Sequence, residues 1–197
     1  MTHPVRHILI VNGHPDPKSK GLCHALADAY AQGARQNGIE VRRIDVERLD
    51  FGFLHSQAEF ETGAAPAAIA DVQGDILWAD HLVLIFPLWL GDIPALLKGF
   101  FEQTLRPGFA FTNRPHGFPT MHLRGRSARI IVTMGMPAPV YRWFFLAHGL
   151  KNLERNILRF CGFRPVRSTI LGSIGTCGPD VIKRRLAEVK ALGEAAR

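Results

Sequence analysis

Ile8-Leu9-Ile10-Val11-Asn12-Gly13-His14-Pro15-Asp16-Pro17-Lys18-Ser19-Lys20-Gly21 is the stretch on which the fold turns. Four consecutive apolar residues without polar alternation read as a strand buried on both faces. Asn12-Gly13 stops it. A Pro-containing turn follows, and then residues 22–36, where Leu22, Leu26, Tyr30 and Gly33 recur at helical spacing until Asn37-Gly38 ends the run. A doubly buried strand that feeds a helix opens a βαβ unit, and such units build parallel sheets.

The same alternation continues outward from that stretch. Residues 39–44 read as a second strand, and residues 46–63, which lack a clear period, as a long loop. Ala-rich residues 64–78 read as a helix and Leu82-Val83-Leu84-Ile85-Phe86 as a third buried strand stopped by Pro87. Pro94 opens a helix in the favoured first-turn position, running to about Leu105. Residues 106–125, rich in Gly, Pro and aromatics, read as an excursion from the core. Residues 128–133 form a fourth strand. Residues 141–160 read as one helix with Leu146, Leu150, Leu153, Ile157 and Phe160 on one face. Residues 166–171 form a fifth strand and residues 179–195 a closing helix. With right-handed crossovers, the expectation is a single α/β domain over residues 1–197. Its five parallel strands take the flavodoxin-like order 2-1-3-4-5, with helices on both faces.

Composition narrows the function. The chain has 47% hydrophobic and 21% charged residues, the balance of an ordinary globular domain. Its formal net charge is +7, but the densest basic cluster, Lys183-Arg184-Arg185, sits in the closing helix and reads as a solvated face. There is no aromatic-interleaved basic stripe, so nucleic acid is not an expected partner. Three cysteines without C-x-x-C, and histidines without an H-x-x-x-H pair, argue against a disulfide framework and a zinc site. Residues 82–97 are interrupted by Gly91-Asp92 and Pro94, so membrane insertion is not expected. The N-terminus lacks a signal-like pattern. A reducing, cytoplasmic setting is the expectation.

Ligands of open α/β sheets bind beyond the carboxyl ends of the strands, where strand order reverses. Three loops therefore matter. In the first, Ser19 with Lys18, Lys20 and Gly21 precedes a helix and offers backbone N–H groups, a helix-dipole end and positive charge. It reads equally as an anion site and as a capping serine beside solvated lysines. It matches neither G-x-G-x-x-G nor G-x-x-x-x-G-K-[ST]. The second loop, Pro87-Leu88-Trp89-Leu90-Gly91-Asp92, is apolar enough to wall a flat ligand. Burial beneath the 106–125 excursion explains it more simply. The third, Thr133-Met134-Gly135-Met136-Pro137, lets a backbone approach a ring edge.

These loops, in this order, resemble the NAD(P)H:quinone oxidoreductase family of flavodoxin-like flavoproteins, including its modulator of drug activity B-like branch. The likeness spans nearly the whole chain. It rests most on Phe86-Pro87-Leu88, Ile93-Pro94-Ala95-Leu96-Leu97-Lys98-Gly99-Phe100-Phe101-Glu102 and Gly108-Phe109-Ala110-Phe111. His14 with Ser19, Thr133-x-Gly135, Tyr141, His148-Gly149 and Phe160-Cys161-Gly162-Phe163 support it. The resemblance implies FAD, or alternatively FMN, with NADH or NADPH as electron donor and a quinone-like small molecule as acceptor. It implies that His14 and Ser19, with Lys20 and Gly21, hold flavin phosphate. Pro87, Leu88, Trp89 and Leu90 would line the ring. Thr133, Met134, Gly135 and Met136 would lie along its polar edge, and Glu102 would support the ring-wall loop. Tyr141 and His148 would be the catalytic donors, stabilising negative charge on the reduced ring.

The apolar groups of Leu88-Trp89-Leu90 and Trp143-Phe144-Phe145 add the expectation of a homodimer. Two other roles stand beside the enzyme. One is a one-electron flavodoxin-type carrier, a different class of protein against which the basic composition argues by analogy. The other is an ancillary subunit of a membrane potassium-efflux system, a role the resemblance implies because some relatives play it. A separate pattern, Cys161 followed by Arg167-Ser168, has the C-x5-R-[ST] spacing of cysteine phosphatases. There a helix ends and a strand begins, the reverse of the order that cradles phosphate, so that reading is set aside.

Overall fold

The computed structural model describes residues 4–18 and 21–196. Its centre is a parallel sheet of β1 (His7–Asn12), β2 (Glu40–Asp45), β3 (His81–Pro87), β6 (Ser127–Thr133) and β7 (Val166–Leu171). The spatial order is β2-β1-β3-β6-β7, with every neighbouring pair parallel. Counting only these strands, this is the expected 2-1-3-4-5 order.

Both faces are covered because each central strand is apolar at consecutive positions. Leu9 and Val11 of β1, Leu84 and Phe86 of β3 and Ile130 and Val132 of β6 pack on one side. That side carries α3 (Ala67–Trp78), α4 (Ala95–Thr104) and the helical region 148–161. Ile8, Ile10, Val83, Ile85 and Ile131 point the other way, onto α1 (Leu22–Gln36) and α7 (Pro179–Glu194). α1 and α7 cross closely: a Cβ on Gly33 or Gly193 would fall inside contact distance of the opposite helix backbone.

Three segments differ from the sequence expectation. Residues 46–63 are not one loop. A 3-10 turn, Val46–Arg48, is followed by the short helix α2 (Gln57–Thr62). Ser56 and Glu59 form a reciprocal cap there, with Glu59 N–H donating to Ser56 Oγ at 3.1 Å and Glu59 Oε2 accepting His55 N–H at 3.1 Å. The S-x-x-E spacing was the available signal. The 106–125 excursion contains a small hairpin, β4 (Phe111–Thr112) against β5 (Thr120–Met121). The expected helix over 141–160 is broken. A π-helical turn, Val140–Phe144, ends in left-handed Leu146 and Ala147, and only then does α5 (His148–Asn152) begin. A second π segment, Leu153–Leu158, leads into α6 (Arg159–Cys161). Apolar spacing shows which face is buried but not where a turn widens to π geometry.

Candidate functional site

The chain leaves β1 toward β2 on one side and reaches β3 and β6 on the other, so strand order reverses between β1 and β3. The register pairs Asn12 with Ile85 and Pro87 with Thr133, which sets the three strand ends side by side. The loops beyond them form one rim.

The first loop is wound by its own side chains. Buried Asn12 donates from Nδ2 to Asp45 Oδ1 at 2.9 Å, and its Oδ1 accepts the His14 N–H at 3.3 Å. His14 Nδ1 accepts the Asp16 N–H at 3.2 Å, and Asp16 Oδ1 accepts the Lys18 N–H at 2.9 Å. An Nδ1 that accepts leaves the ring proton on Nε2, so His14 presents a donor even when neutral. α1 begins at Gly21 without a side-chain cap or an acidic residue in its first turn. Among the described residues of that first turn, none carries a negative charge against the helix dipole. Ser19 and Lys20, both expected at this position, lie outside the described residues.

The second loop is a tight two-residue turn. Trp89 and Asp92 exchange N–H···O bonds at 3.0 Å in both directions. Leu90 (φ 48°) and Gly91 (φ 82°) are both left-handed, as a type I′ turn requires. Glycine, asparagine or aspartate would sit at the Leu90 position without strain, yet the chain places a leucine there with its side chain wholly in solvent. The expected burial under the 106–125 excursion is therefore corrected: Trp89 is half exposed and Leu90 fully so. Pro87 and Leu88 are half-buried at the base. A cleft of about 400 Å³ runs beside the turn, lined by Trp89, Ile93, Lys98 and Asn152.

The third loop carries less than the sequence suggested. Thr133 is buried, and its Oγ1 lies 3.6 Å from Cys23 Sγ on the α1 side. Met134 is buried in the core, with its N–H on Leu171 O at 2.9 Å. The side chains of Thr133 and Met134 are thus spent on packing rather than offered at the rim. Gly135 is exposed, with open space where a Cβ would stand, so its backbone can be approached closely. Met136 is half-buried against the core.

Tyr141 ties the second and third loops together. Its hydroxyl donates to Gly91 O at 3.3 Å and accepts the Leu150 N–H at 3.1 Å. Gly149 packs on Gly91 and Asp92 so closely that a Cβ would collide with them. The phenol is almost wholly buried, and that burial raises its pKa. The expectation of a free donor is corrected on this point: the single hydroxyl proton is committed to Gly91, and the side chain acts first as a latch on the Trp89–Asp92 turn. His148, at the start of α5, is exposed on the same rim. Glu102 pairs with Lys98 on α4, and both line a second cleft of about 310 Å³ with Asn152 and Phe160. Cys161 is buried at a helix end and its thiol is pushed up to about 12, the opposite of a phosphatase nucleophile.

Asp45 belongs to the site although no local motif marks it in the sequence. Asp45 fixes the first loop from a neighbouring strand, and only the β1–β2 register brings Asn12 opposite it.

Comparison with known proteins places this fold in a family. The Flavodoxin_2 family, described as flavodoxin-like fold, matches residues 6–194. The chain belongs to this family. It is 28% identical over 193 residues to an uncharacterized NAD(P)H oxidoreductase of Haemophilus influenzae, covering 96% of this chain and 94% of the relative. It is 31% identical over 191 residues to the FMN-dependent NADH:quinone oxidoreductase of Nitratidesulfovibrio vulgaris, covering 87% and 88%. The crystal structure of Smu.1420 from Streptococcus mutans superposes with a TM-score of 0.78 at 29% identity, covering 96% of this chain and 99% of that one. The family match over residues 6–194 takes in every strand of the sheet of this flavodoxin-like chain.

Proposed function

We propose that the chain is a flavin-dependent NAD(P)H oxidoreductase that reduces quinones or similar flat acceptors. The observation that carries the reading is the rim itself: the His14 ring N–H ahead of α1 at one end, and at the other an exposed apolar turn latched by Tyr141. Bound flavin would accept a hydride from the nicotinamide and pass two electrons to the acceptor.

His14, through Nε2–H, with Ser19, Lys20 and Gly21, which precede α1 in the sequence, binds the flavin phosphate. Pro87, Leu88, Trp89 and Leu90 wall the ring, and the backbone at Gly135 meets its polar edge. Thr133, Met134 and Met136 shape that edge from beneath. His148, exposed beside the turn, supplies the donor for charge on the reduced ring, while Tyr141 holds the turn against it. One site serving donor and acceptor in turn requires ping-pong kinetics. The Nitratidesulfovibrio vulgaris relative is named for FMN and NADH, which favours FMN over FAD here. The relatives are named as oxidoreductases, which favours the enzyme over a one-electron carrier or a subunit of a potassium-efflux system.

Two further elements belong to the reading. The exposed apolar side chains of the rim are covered in a homodimer. All three cysteines are free, which suits a reducing compartment such as the cytoplasm. Among the described residues no helix is long and apolar enough to cross a membrane.

The test is a visible absorption spectrum of the purified protein, with chromatography of the released flavin. A yellow protein that releases FMN or FAD, and is bleached by NADH or NADPH and recoloured by a quinone, supports the proposal. A colourless protein whose addition leaves the fluorescence of FMN and FAD unquenched overturns it.

A further inference from the structure

The first turn of α1 and the end of β2 bring together three side chains that the proposed flavin chemistry does not use. His24 Nε2 stands 3.4 Å from Glu47 Oε1 and 4.0 Å from Asp45 Oδ1. One ligand atom from each of the three lies within 4.8 Å of the others. Asp45 closes β2, and Glu47 sits in the 3-10 turn immediately after it.

A second observation concerns Glu47 alone. Its side chain is completely withdrawn from solvent. Its Oε1 faces His24, yet its Oε2 has no hydrogen-bond partner, and neither has His24 Nδ1. A buried carboxylate is costly unless its charge and lone pairs are met. Among the described residues, the charges that approach it do so at Oε1. Arg43 is shared between Asp28 and Asp45, and Arg48, mostly exposed, approaches Glu47 no closer than 3.7 Å. Among the described residues, then, the buried Oε2 of Glu47 meets no donor.

We propose that His24, Asp45 and Glu47 form a site for a divalent transition-metal cation of the zinc type. Ligand atoms on a tetrahedral zinc with bonds of about 2.0–2.1 Å stand about 3.3–3.4 Å apart, the separation of His24 Nε2 and Glu47 Oε1. Asp45, whose Oδ1 also accepts from Asn12 Nδ2 and Arg43, offers the third ligand atom within 4.8 Å of the other two. An imidazole among carboxylates selects zinc, cobalt or nickel over magnesium, which prefers all-oxygen octahedral shells. The fourth position is left to water. The site is a brace. It joins α1 to the end of β2, and through the Asn12–Asp45 bond it steadies the loop that carries His14, whose ring lies 5.9 Å from that of His24.

The test uses purified full-length protein freed of metal with a chelator, titrated with Co2+ and watched for visible d–d bands, then challenged with Zn2+. The expected result is one equivalent of Co2+ in a low-coordinate environment, displaced by Zn2+. Glu47→Gln and His24→Gln should each weaken Co2+ binding by about 100-fold, the scale at which even outer-shell partners tell. His116→Gln, on the exposed 106–125 excursion, should leave it unchanged. Thermal melting gives a second readout. In chelator Glu47→Gln should melt no lower than wild type, because it removes the charge of a buried carboxylate whose Oε2 meets no donor. With Zn2+ the order should reverse. Absence of stoichiometric Co2+ bands, or equal binding by wild type and both variants, overturns the proposal. So does a Glu47→Gln protein that melts below wild type in chelator and gains the same from Zn2+, since Glu47 would then be a plain hydrogen-bond partner of His24. None of these readouts depends on whether the protein holds flavin.

Discussion

Single side chains here serve two purposes at once, and Tyr141 makes the point testable. Its hydroxyl is the acceptor for the buried Leu150 N–H as well as the donor to Gly91. Tyr141→Phe strands that N–H, which costs about 1–3 kcal/mol. We expect a matching loss in urea unfolding, with flavin reduction slowed only as far as the Trp89–Asp92 turn loosens. If stopped-flow reduction instead collapses while stability is unchanged, Tyr141 is a direct donor and not a latch. His81 gives a residue-scale prediction of another kind. It is buried in β3, with Nδ1 2.7 Å from Ser127 Oγ, and burial, reinforced by the charges of Arg129 and Arg167, lowers its pKa from 6.5 to about 4. The folded state thus resists a proton that the unfolded chain accepts. Its contribution is fully present above about pH 6.5 and is lost as the pH falls through about 4, by up to about 3 kcal/mol. His81→Gln, which cannot titrate, should flatten the fall in unfolding free energy between pH 7 and 4.5. Parallel profiles for the two proteins would refute this.

At the scale of elements, the sequence spoke clearly where burial is two-sided and poorly where geometry is local. The sheet strands were legible because Ile8-Leu9-Ile10-Val11 and Leu82-Val83-Leu84-Ile85-Phe86 are apolar at consecutive positions, a pattern that few other structures produce. The rim loops were legible from strand ends alone. What stayed hidden were features fixed by contacts distant in sequence. The exposure of Trp89 and Leu90 and the break at Leu146-Ala147 go with the way Tyr141 and Gly149 meet the Trp89–Asp92 turn, and the inward turn of Thr133 with its contact to Cys23 of α1. The α1–α7 crossing is another such contact. Gly33 reads as an ordinary helix residue, yet a Cβ there would meet the Lys190 carbonyl, while one on Gly74 of α3 meets nothing. Alanine is the better helix former by roughly 1 kcal/mol. Gly74→Ala should therefore stabilise by up to about 1 kcal/mol, and Gly33→Ala should destabilise by about 2–4 kcal/mol as the helices are forced apart. Denaturant midpoints of the two variants check both signs; a stabilised Gly33→Ala would mean the crossing yields without cost.

At the scale of the whole molecule, the question is what covers the rim. Val140, Trp143, Phe144, Phe145 and Leu146 are all exposed, with Trp143 71% and Phe144 78% accessible. They follow the third loop directly, and Tyr141 and Gly149 press the same segment onto the turn bearing exposed Trp89 and Leu90. Exposed apolar side chains thus stand on both segments that meet at Gly91, a concentration of a kind soluble monomers rarely leave open. The formal charge of +7 keeps copies apart at long range, but the apolar residues of this rim carry no charge of their own. A second copy is the simplest cover, since a two-fold axis lets one patch meet itself. Sedimentation at micromolar concentration should therefore give the mass of two chains, insensitive to moderate salt. Phe144→Glu or Trp143→Glu, which place a carboxylate in the middle of the patch, should shift the protein toward the mass of one chain while its circular dichroism stays native. Because the same surface adjoins the proposed flavin wall, the monomeric variants should also retain flavin less tightly. A wild-type protein that sediments as one chain with flavin bound would show that this rim stays open to the acceptor.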